Sequence, residues 1–291
     1  MAKAMGKDSD AEKYIQRSDN WINMFKQDQR SIVNLSTSED QPNFVDSGFQ
    51  GFLQPRYLNG TFGYQDPTLC SPLYNFTSCY LNTDGHETYE GSSWLYTFYV
   101  PQDMATLVTT LGGPDEFVRR LEYLHKTPNL LYFGDEQSFL LTYLFHYAGR
   151  PGLSSYFAHY YIPSQFNDTA VGIPGNDDSG AMGSFSTLTM MGMWPVSGQN
   201  VYLIIPPFFP EVNVTNPVTG KTATIRNINF DTAYENIYIQ SATLDGKPYR
   251  RNWITHKFFA EGGLLELTLG KNESNWGVEQ DDLPPSASSH F

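Results

Sequence analysis

The hydrophobic pattern divides the chain into a helical part followed by a part made of short strands. Apolar residues recur at helical spacing over residues 8–25, 101–111, 114–124, 135–147, 156–161 and 182–191. Beyond Pro195 they occur in short β-prone runs separated by Gly, Pro and Asn, and D-G-K-P at 245–248 predicts a hairpin turn. Residues 31–88 are rich in Asn, Gly, Pro, Ser and Thr, which predicts a long irregular segment.

These patterns predict an α+β fold with helical and β regions separated along the chain. Residues 1–197 are expected to form part of a helical domain and residues 198–277 an antiparallel β module. Residues 278–291, which include P-P-S-A-S-S, are expected to be a disordered tail.

Composition and charge narrow the function classes. The 291 residues carry a formal net charge of −13 with only 17% charged residues. This sign argues against nucleic acid or an anionic membrane as a partner and suits neutral substrates or cations. No apolar run reaches the roughly 18 residues that a membrane span requires.

Two features indicate a secreted protein. Glycosylation sequons occur six times, at Asn34, Asn59, Asn75, Asn167, Asn213 and Asn272. The two cysteines, Cys70 and Cys79, are close enough in sequence to predict a disulfide. The N-terminus carries no apolar signal segment. We therefore expect the chain to be the C-terminal part of a longer extracellular or secretory-pathway protein, with a cytosolic location as the alternative.

Acidic residues cluster at three places in the helical part. The clusters are Glu87 and Glu90 in E-T-Y-E-G-S-S-W, Asp135 and Glu136 in F-G-D-E-Q, and Asp177 and Asp178 in G-N-D-D-S-G. Each also has a structural interpretation, because Asp135 and Asp178 are suitable helix caps and Glu90 precedes a glycine in a possible surface turn.

Paired carboxylates favour two kinds of chemistry. Glycoside hydrolysis uses one carboxylic acid and one carboxylate, and Ca²⁺ binds carboxylate and amide oxygens. The His spacing does not match a zinc site, and the motifs of serine hydrolases, nucleotide triphosphatases and dinucleotide enzymes are not found.

Four motifs, in their order along the chain, are similar to one known family. They are E-T-Y-E-G-S-S-W-L-Y-T-F-Y-V-P-Q-D-M, H-Y-A-G-R-P, G-I-P-G-N-D-D-S-G-A-M and M-G-M-W-P-V. On these motifs the chain resembles glycoside hydrolase family 92, a family of calcium-dependent exo-acting α-mannosidases, over roughly residues 1–277. The resemblance implies a partial (α/α)6 toroid followed by an antiparallel β-sandwich-like module, with the family's upstream N-terminal β-sandwich missing.

The resemblance also implies site roles. Glu90 corresponds to the general acid, and Asp178 to the general base and a calcium ligand, with Asp177 as the alternative base. Glu136 corresponds to a calcium ligand and Asp135 to a further one, although the family reads N-E-P where this chain has D-E-Q. A separate group of three residues is expected to contact substrate: Trp94, Glu87 and Asn176.

The implied function is calcium-assisted inverting hydrolysis that releases mannose from α-mannosides, with α-1,2-linked N-glycans as the expected substrates. The first alternative is a truncated, non-catalytic remnant that keeps the fold and binds calcium or mannosides. A different toroidal glycosidase or lyase is a further alternative.

Overall fold

The computed structural model describes residues 1–38, 40–69, 88 and 90–289, which form two compact units. Unit 1 contains Met1–Gly112, Arg119–Tyr132 and the residues from Ser286, and unit 2 contains Gly113–Val118 and Phe133–Pro285. The predictions for Cys70, Cys79 and Glu87 lie outside the described residues. None of the described helices is long and apolar enough to cross a membrane.

Unit 1 begins with the predicted helix, which is shorter than expected. The first helix, α1 (Asp8–Ser18), is followed by a 3-10 turn over Asp19–Met24. No residue of α1 is buried, and Tyr14 and Ile15 are 58% and 48% exposed. Because the apolar side chains of α1 stay largely exposed and gain little from burial, the helical pattern up to residue 25 does not hold the chain in an α-helix to that point.

Two long strands overlap the N-terminal part of the predicted irregular segment. Strands β1 (Phe25–Asn34) and β2 (Phe44–Leu53) pair antiparallel. The expectation that residues 31–88 are loop-like is therefore wrong for these strands. The buried positions of β1 alternate as a strand requires, but two of its three buried residues are the polar Gln29 and Ser31. The usual alternation of apolar and polar residues is therefore absent from the sequence.

Three further α-helices belong to unit 1. They are α2 (Ser93–Thr97), α3 (Met104–Thr110) and, from Arg119 onward, α4 (Pro114–Lys126). The core of the unit consists of aromatic side chains of β2 and α2 around a buried arginine. Phe49, Phe52, Trp94 and Phe98 are at most 2% exposed, and the guanidinium of Arg120 lies over the Phe52 ring at 4.1 Å.

Unit 2 contains the remaining helices and strands. Its helices are α5 (Gln137–Leu141), α6 (Pro151–Gln165), α7 (Ala181–Met190) and α8 (Lys257–Glu261). The helix predicted over 156–161 is much longer, because α6 is buried on most sides and shows little periodicity. The helix predicted over 135–147 is split into α5 and a 3-10 segment, Leu144–Ala148.

Two sheets form the β region of unit 2. Strands β3 (Met193–Pro195), β4 (Tyr202–Ile204) and β9 (Trp253–Ile254) form a three-stranded sheet. The larger sheet has the order β5-β6-β10-β7-β8, in which the strands are Glu211–Thr215, Thr222–Ile228, Leu264–Gly270, Tyr238–Leu244 and Lys247–Tyr249.

The larger sheet is mixed, so the prediction of an antiparallel module is wrong in one pairing. Strand β10 pairs parallel with β6 and antiparallel with β7. The predicted hairpin between β7 and β8 is confirmed: Asp245 and Gly246 both have positive φ, as a type I′ turn requires. Side chains from both sheets, including Ile204, Ile254 and Leu267, pack into one hydrophobic core.

The C-terminal segment differs from the expectation of a disordered tail. Two short 3-10 segments occur, Gln280–Asp282 and Ala287–Ser289. The hydroxyl of Ser286 is buried, donates to the carboxylate of Asp103 at 3.0 Å and accepts from the amide of Ala105. These polar contacts fix a proline- and serine-rich segment whose composition indicates disorder.

Candidate functional site

In unit 2, the chain segments that carry two of the three predicted acidic clusters are in contact at the glycines that precede them. Gly134 immediately precedes Asp135, and Gly175 immediately precedes Asn176. A Cβ atom placed on Gly175 would lie 2.3 Å from the carbonyl oxygen of Gly134 and 2.8 Å from its Cα. The two backbones touch here, and only a residue without a side chain at position 175 permits this approach.

Aromatic side chains next to the same two segments pack against one another. Phe133, next to Gly134, stacks on Tyr161 of α6 at 3.9 Å between ring centroids. Phe185 of α7 stacks on Phe139 of α5 at 4.5 Å and lies edge-on to Phe133 at 5.2 Å. The chain segments on either side of both acidic clusters therefore share one aromatic core.

The aspartate pair lies in a left-handed turn. Asp178, Ser179 and Gly180 have consecutive positive φ angles of 35°, 63° and 85°. Two of these residues are not glycine, and such backbone conformations are uncommon and concentrate at functional sites. Asn176 donates from Nδ2 to Oδ1 of Asp178 at 2.6 Å, so the exposed carboxylate is held by its neighbour in the turn.

Asp177, rather than Asp178, caps the following helix with its side chain. Its Oδ1 atom accepts from the backbone amides of Met182 at 3.1 Å and Gly183 at 3.3 Å, in the first turn of α7. The interpretation of Asp178 as the cap is therefore wrong. Three residues, 178–180, lie between the capping carboxylate and the helix, whereas a usual cap residue directly precedes the first helical residue.

The Asp135 cluster starts a helix without capping it in the usual way. Glu136 is the N-cap residue of α5, and its side chain makes no capping hydrogen bond. One carboxylate oxygen of Asp135 and one of Glu136 are shielded from solvent. The amide oxygen of Gln137 is also shielded and accepts no hydrogen bond within the described residues. Three consecutive side chains thus each have one oxygen atom buried from solvent.

The oxygen donors of this region match calcium in type. Hard cations such as Ca²⁺ prefer carboxylate, amide and carbonyl oxygens, and these are the groups that Asp135, Glu136, Gln137 and Asp178 offer. In the part of the chain that the structure describes, however, no three His, Cys, Asp or Glu side chains converge closely enough to hold a metal ion.

Glu90 belongs to unit 1, where it also lies in a strained turn. It is half-buried and has a φ of 59°. The next residue, Gly91, is buried, and a Cβ there would lie 2.9 Å from the Tyr96 ring. Ser92 then caps α2, because its hydroxyl accepts from the amide of Leu95. The segment is thus fixed immediately after Glu90.

Trp94 is a core residue, and its predicted contact with substrate is wrong. Its side chain is fully buried, donates from Nε1 to the Ser31 hydroxyl at 2.8 Å, and packs on Phe52 with ring centroids 5.0 Å apart. A tryptophan that is closed off in this way offers no face to a sugar. The indole instead joins β1, β2 and α2.

The glycines that bring the acidic segments together were missed by sequence reasoning. The only sequence signal for these glycines is that both acidic segments begin with one, as G-D-E at 134–136 and G-N-D at 175–177. In sequence, Gln137 differs from the family's proline at this position, and its shielded amide oxygen is visible only in the structure.

The comparisons with known proteins place the chain among the glycosyl hydrolases. A model of the glycosyl hydrolase family 92 catalytic domain matches residues 1–271. A protein of Arthroderma benhamiae (strain ATCC MYA-4681 / CBS 112371), described as an uncharacterized secreted glycosidase, is 59% identical over 286 residues. This chain therefore belongs to glycosyl hydrolase family 92.

Solved structures show the same fold. A family GH92 α-mannosidase from Bacteroides thetaiotaomicron superposes with a TM-score of 0.78 at 21% identity, over 98% of this chain and 34% of that one. A family GH92 inverting mannosidase from the same species gives 0.77 at 22% identity, over 99% and 37%.

The chain corresponds to only part of these proteins. It covers 98% of its own length in the match to the Arthroderma protein but 35% of that protein. It thus spans about a third of the length of the relatives it matches.

Proposed function

We propose that this chain contributes the catalytic carboxylates of an exo-α-mannosidase that hydrolyses α-mannosides with inversion at the anomeric carbon. The proposal rests on the family match over residues 1–271. It is supported by a structural neighbour described as an inverting mannosidase and by another solved in complex with mannoimidazole.

The observation that carries the proposal is the contact between the backbones of Gly134 and Gly175. It brings the Asp135–Glu136 and Asp177–Asp178 segments side by side in a chain of this family. Hydrolysis of a glycoside needs carboxylates in two protonation states, and a calcium ion needs several oxygen ligands, so a shared acidic region suits both requirements.

In the proposed mechanism the carboxylic acid of Glu90 donates its proton to the glycosidic oxygen as the bond to the anomeric carbon breaks. An aspartate carboxylate takes a proton from a water molecule, and the water oxygen bonds to the anomeric carbon from the opposite face. The products are mannose with the inverted configuration and the free leaving-group alcohol.

Hydrogen bonding supports Asp178 over Asp177 as the base. One oxygen of Asp177 is occupied by the two amides at the start of α7. Asp178 is exposed, and within the described residues its carboxylate accepts only the bond from Asn176. Asp178 therefore keeps the capacity to bind and deprotonate water, and Asn176 orients it and can also contact substrate.

We also propose that calcium would be held by Glu136 and Asp178, with Asp135 as a further ligand, although the described carboxylates do not converge closely enough to hold it by themselves. The support is the type of donor and the shielding of oxygens at 135–137. When bound, calcium supplies positive charge that attracts sugar hydroxyls and favours ring distortion. Carbonyl groups, water and substrate can complete the shell, since Ca²⁺ takes roughly six to eight ligands.

The finer expectations about context belong to the same proposal. They are a toroidal arrangement of the helices in the complete catalytic domain, a secreted location, and substrates among α-1,2-linked mannosides of N-glycans. The relative described as a secreted glycosidase and the sequons, such as Asn167 and Asn272, support this context.

The test is mannose release from α-1,2-mannobiose by the purified chain, with calcium and then with EDTA. Release that EDTA abolishes supports the enzyme, and absence of release in both conditions supports a non-catalytic remnant. An Asp178→Asn variant is expected to lose at least 100-fold in kcat, because general base catalysis contributes roughly 10²–10⁴-fold. Asp168→Asn, at an exposed aspartate of the same unit, is the matched control and is expected to be unchanged.

A further inference from the structure

Two of the glycosylation sequons lie on exposed turns, one in each unit. In unit 1, Asn59 lies at the tip of a short turn that is closed by an antiparallel bridge between Arg56 and Phe62. In unit 2, Asn167 begins a loop that closes on itself, because its backbone amide donates to the carbonyl oxygen of Gly172 at 3.0 Å. Both asparagines are exposed, so a bulky group attached to either would extend into solvent.

In both turns the sequon threonine binds the oxygen of the asparagine side chain. Oδ1 of Asn59 accepts from the backbone amide of Thr61 at 3.0 Å and from its hydroxyl at 2.7 Å. Oδ1 of Asn167 accepts in the same way from Thr169, at 3.1 Å and 2.6 Å. Within the described residues, neither Nδ2 atom makes a hydrogen bond. The nitrogen that carries the sugar in an N-linked glycan is therefore open at both positions, and the contacts that set each turn lie within its own sequon.

The sequon at Asn213 has the opposite environment. It lies in β5, which pairs with β6. Its Nδ2 atom donates to Oε1 of Glu211 at 2.8 Å, and its Oδ1 atom accepts from the Thr224 hydroxyl at 2.6 Å. The sequon hydroxyl, on Thr215, bonds to Thr222 of the neighbouring strand. This sequon is extended and tied to the sheet, so the fold removes it as an acceptor once the sheet has formed.

The two other sequons within the described residues are also held by the fold. Asn34 is the last residue of β1, and its Oδ1 atom accepts from the backbone amide of Asn43 at 2.8 Å. In the sequon of Asn272, the Ser274 hydroxyl donates to the carbonyl oxygen of Ile239 at 2.6 Å. Neither sequon has the local hydroxyl-to-asparagine contact of the two exposed turns.

Apolar side chains adjoin both exposed turns and are open to solvent. Beside Asn59, Leu58 is fully exposed and Tyr57 is 58% exposed. In the loop of Asn167, Val171 is 85% exposed. A glycan is bulky and hydrophilic, so one attached to each asparagine would cover these groups.

We infer that Asn59 and Asn167 carry N-linked glycans, which cover the apolar tips of their turns. The inference rests on the secreted location in the proposed function. In the transfer, Nδ2 forms a bond to C1 of the first sugar of a lipid-diphosphate-linked oligosaccharide. The bond between C1 and the diphosphate oxygen breaks, the lipid diphosphate leaves, and the amide loses one proton.

The experiment is expression of the full chain behind a secretion signal in a eukaryotic host, whose secretory pathway supplies the oligosaccharide donor. Cellular and secreted protein are pooled, so that retention of misfolded chains does not hide the modification. N-glycosidase in H₂¹⁸O then converts each glycosylated asparagine to an ¹⁸O-labelled aspartate, which mass spectrometry locates. We expect the label at Asn59 and Asn167 in most molecules and at Asn213 in a smaller fraction.

Substitutions at the sequon threonines give matched controls. Thr61→Ala and Thr169→Ala should abolish the label at the preceding asparagine, whereas Thr61→Ser and Thr169→Ser should retain it. Lack of label at Asn59 or Asn167, or an equal label at Asn213, overturns the assignment.

The covering role has its own readout. Enzymatic removal of the glycans from the secreted protein should increase its binding of the dye ANS, and the increase should be smaller in Leu58→Ser. Unchanged dye binding after glycan removal overturns the covering role. Mannose release is measured separately: glycosylation without mannose release contradicts the hydrolase proposal alone, and mannose release by a chain without glycans contradicts the glycosylation sites alone.

Discussion

The two acidic regions of the molecule are positioned by different physical means. In unit 1 the segment after Glu90 enters a closed core, where Trp94 is fully buried and Arg120 is 1% exposed. In unit 2 the aspartates lie on a half-exposed turn with three consecutive left-handed residues, and this turn is located by contact between two glycine backbones.

The difference indicates which substitutions each region tolerates. A site segment that depends on side-chain packing is sensitive to the loss of core groups, because interiors are close-packed and collapse poorly around a void. A turn located by backbone contact is sensitive to the gain of even one methyl group. The two regions should therefore respond in opposite ways to removal and addition of atoms.

Removal of Arg120 should give the largest effect. Its guanidinium donates to the carbonyl oxygens of Gln50 at 2.8 Å and Gly51 at 2.6 Å and lies against the Phe52 and Trp94 rings. Arg120→Ala leaves buried carbonyls without these donors and opens a cavity, so we expect a loss of about 3–5 kcal/mol in the free energy of unfolding. Urea denaturation measures it.

Arg119 supplies the matched control for this change. It is the preceding residue of α4, it is exposed, and its guanidinium lies over the Phe49 ring at 4.1 Å. Arg119→Ala should cost about 1 kcal/mol or less. Equal effects of the two substitutions would show that the buried guanidinium does not organise the unit 1 core.

Acid should weaken unit 2 at a higher pH than unit 1. Burial lowers the pKa of His146 from its ordinary 6.5 to about 4, although its ring nitrogens lie 3.0 Å and 2.9 Å from the carbonyl oxygens of Tyr143 and Ile204. Since the unfolded chain binds the proton more readily, stability is complete above about pH 6.5 and falls between about pH 6.5 and 4, by roughly 3 kcal/mol.

In unit 1 the corresponding group is Asp103. Burial raises the pKa of its carboxyl, but hydrogen bonds from Ser288, Thr106 and Ser286 outweigh burial and lower it. Its contribution is present above the unfolded pKa, about 3.9, and is lost only as the pH falls below that value. Hydrogen exchange resolved by peptide between pH 7 and 4.5 should show unit 2 opening first, and simultaneous loss of protection in both units would contradict this order.

Adding one methyl group at Gly175 should give the next largest loss of stability. The new Cβ would meet the Gly134 carbonyl at 2.3 Å, and backbone atoms cannot yield as a side chain can. Gly175→Ala is therefore expected to cost about 2 kcal/mol and to reduce mannose release, because it separates the two acidic segments. Thermal unfolding and the mannobiose assay measure the two effects.

Gly183 is the control for the same methyl group. It lies in α7, and a Cβ there meets nothing within 4 Å. Gly183→Ala should stabilise the protein by about 0.5–1 kcal/mol, because alanine favours the helix. Destabilisation by both glycine substitutions would mean that the Gly134–Gly175 contact has no special role.

The sequence predicts those parts of the fold in which buried positions carry apolar side chains and exposed positions carry polar ones. Most helices were located because apolar periodicity and terminal signals agree. Strand β1 was missed because Gln29 and Ser31 are on its buried side, and β2 because Ser47 and Gly51 are among its buried residues. The parallel pairing of β10 with β6 was missed because no local pattern specifies which distant strand is the neighbour.

For the candidate site, the acidic residues were found by type, but their roles depend on contacts between distant segments. Tryptophan is a residue type that often contacts sugars, and only the burial of Trp94 shows that it belongs to the core. The choice between Asp177 and Asp178 depends on the handedness of a three-residue turn, which the letters G-N-D-D-S-G do not reveal.

The smallest expected effect on stability distinguishes these two aspartates. Asp177→Ala removes the carboxylate that accepts from the amides of Met182 and Gly183, and loss of such a cap costs about 1 kcal/mol. Asp178→Asn should change the free energy of unfolding by less than about 0.5 kcal/mol, because this side chain is exposed and asparagine also tolerates the left-handed backbone at φ 35°. In the mannobiose assay the order should reverse, with Asp178→Asn the more damaging. If Asp177→Ala costs little stability and abolishes mannose release, then Asp177 is the base and the capping bonds only orient it.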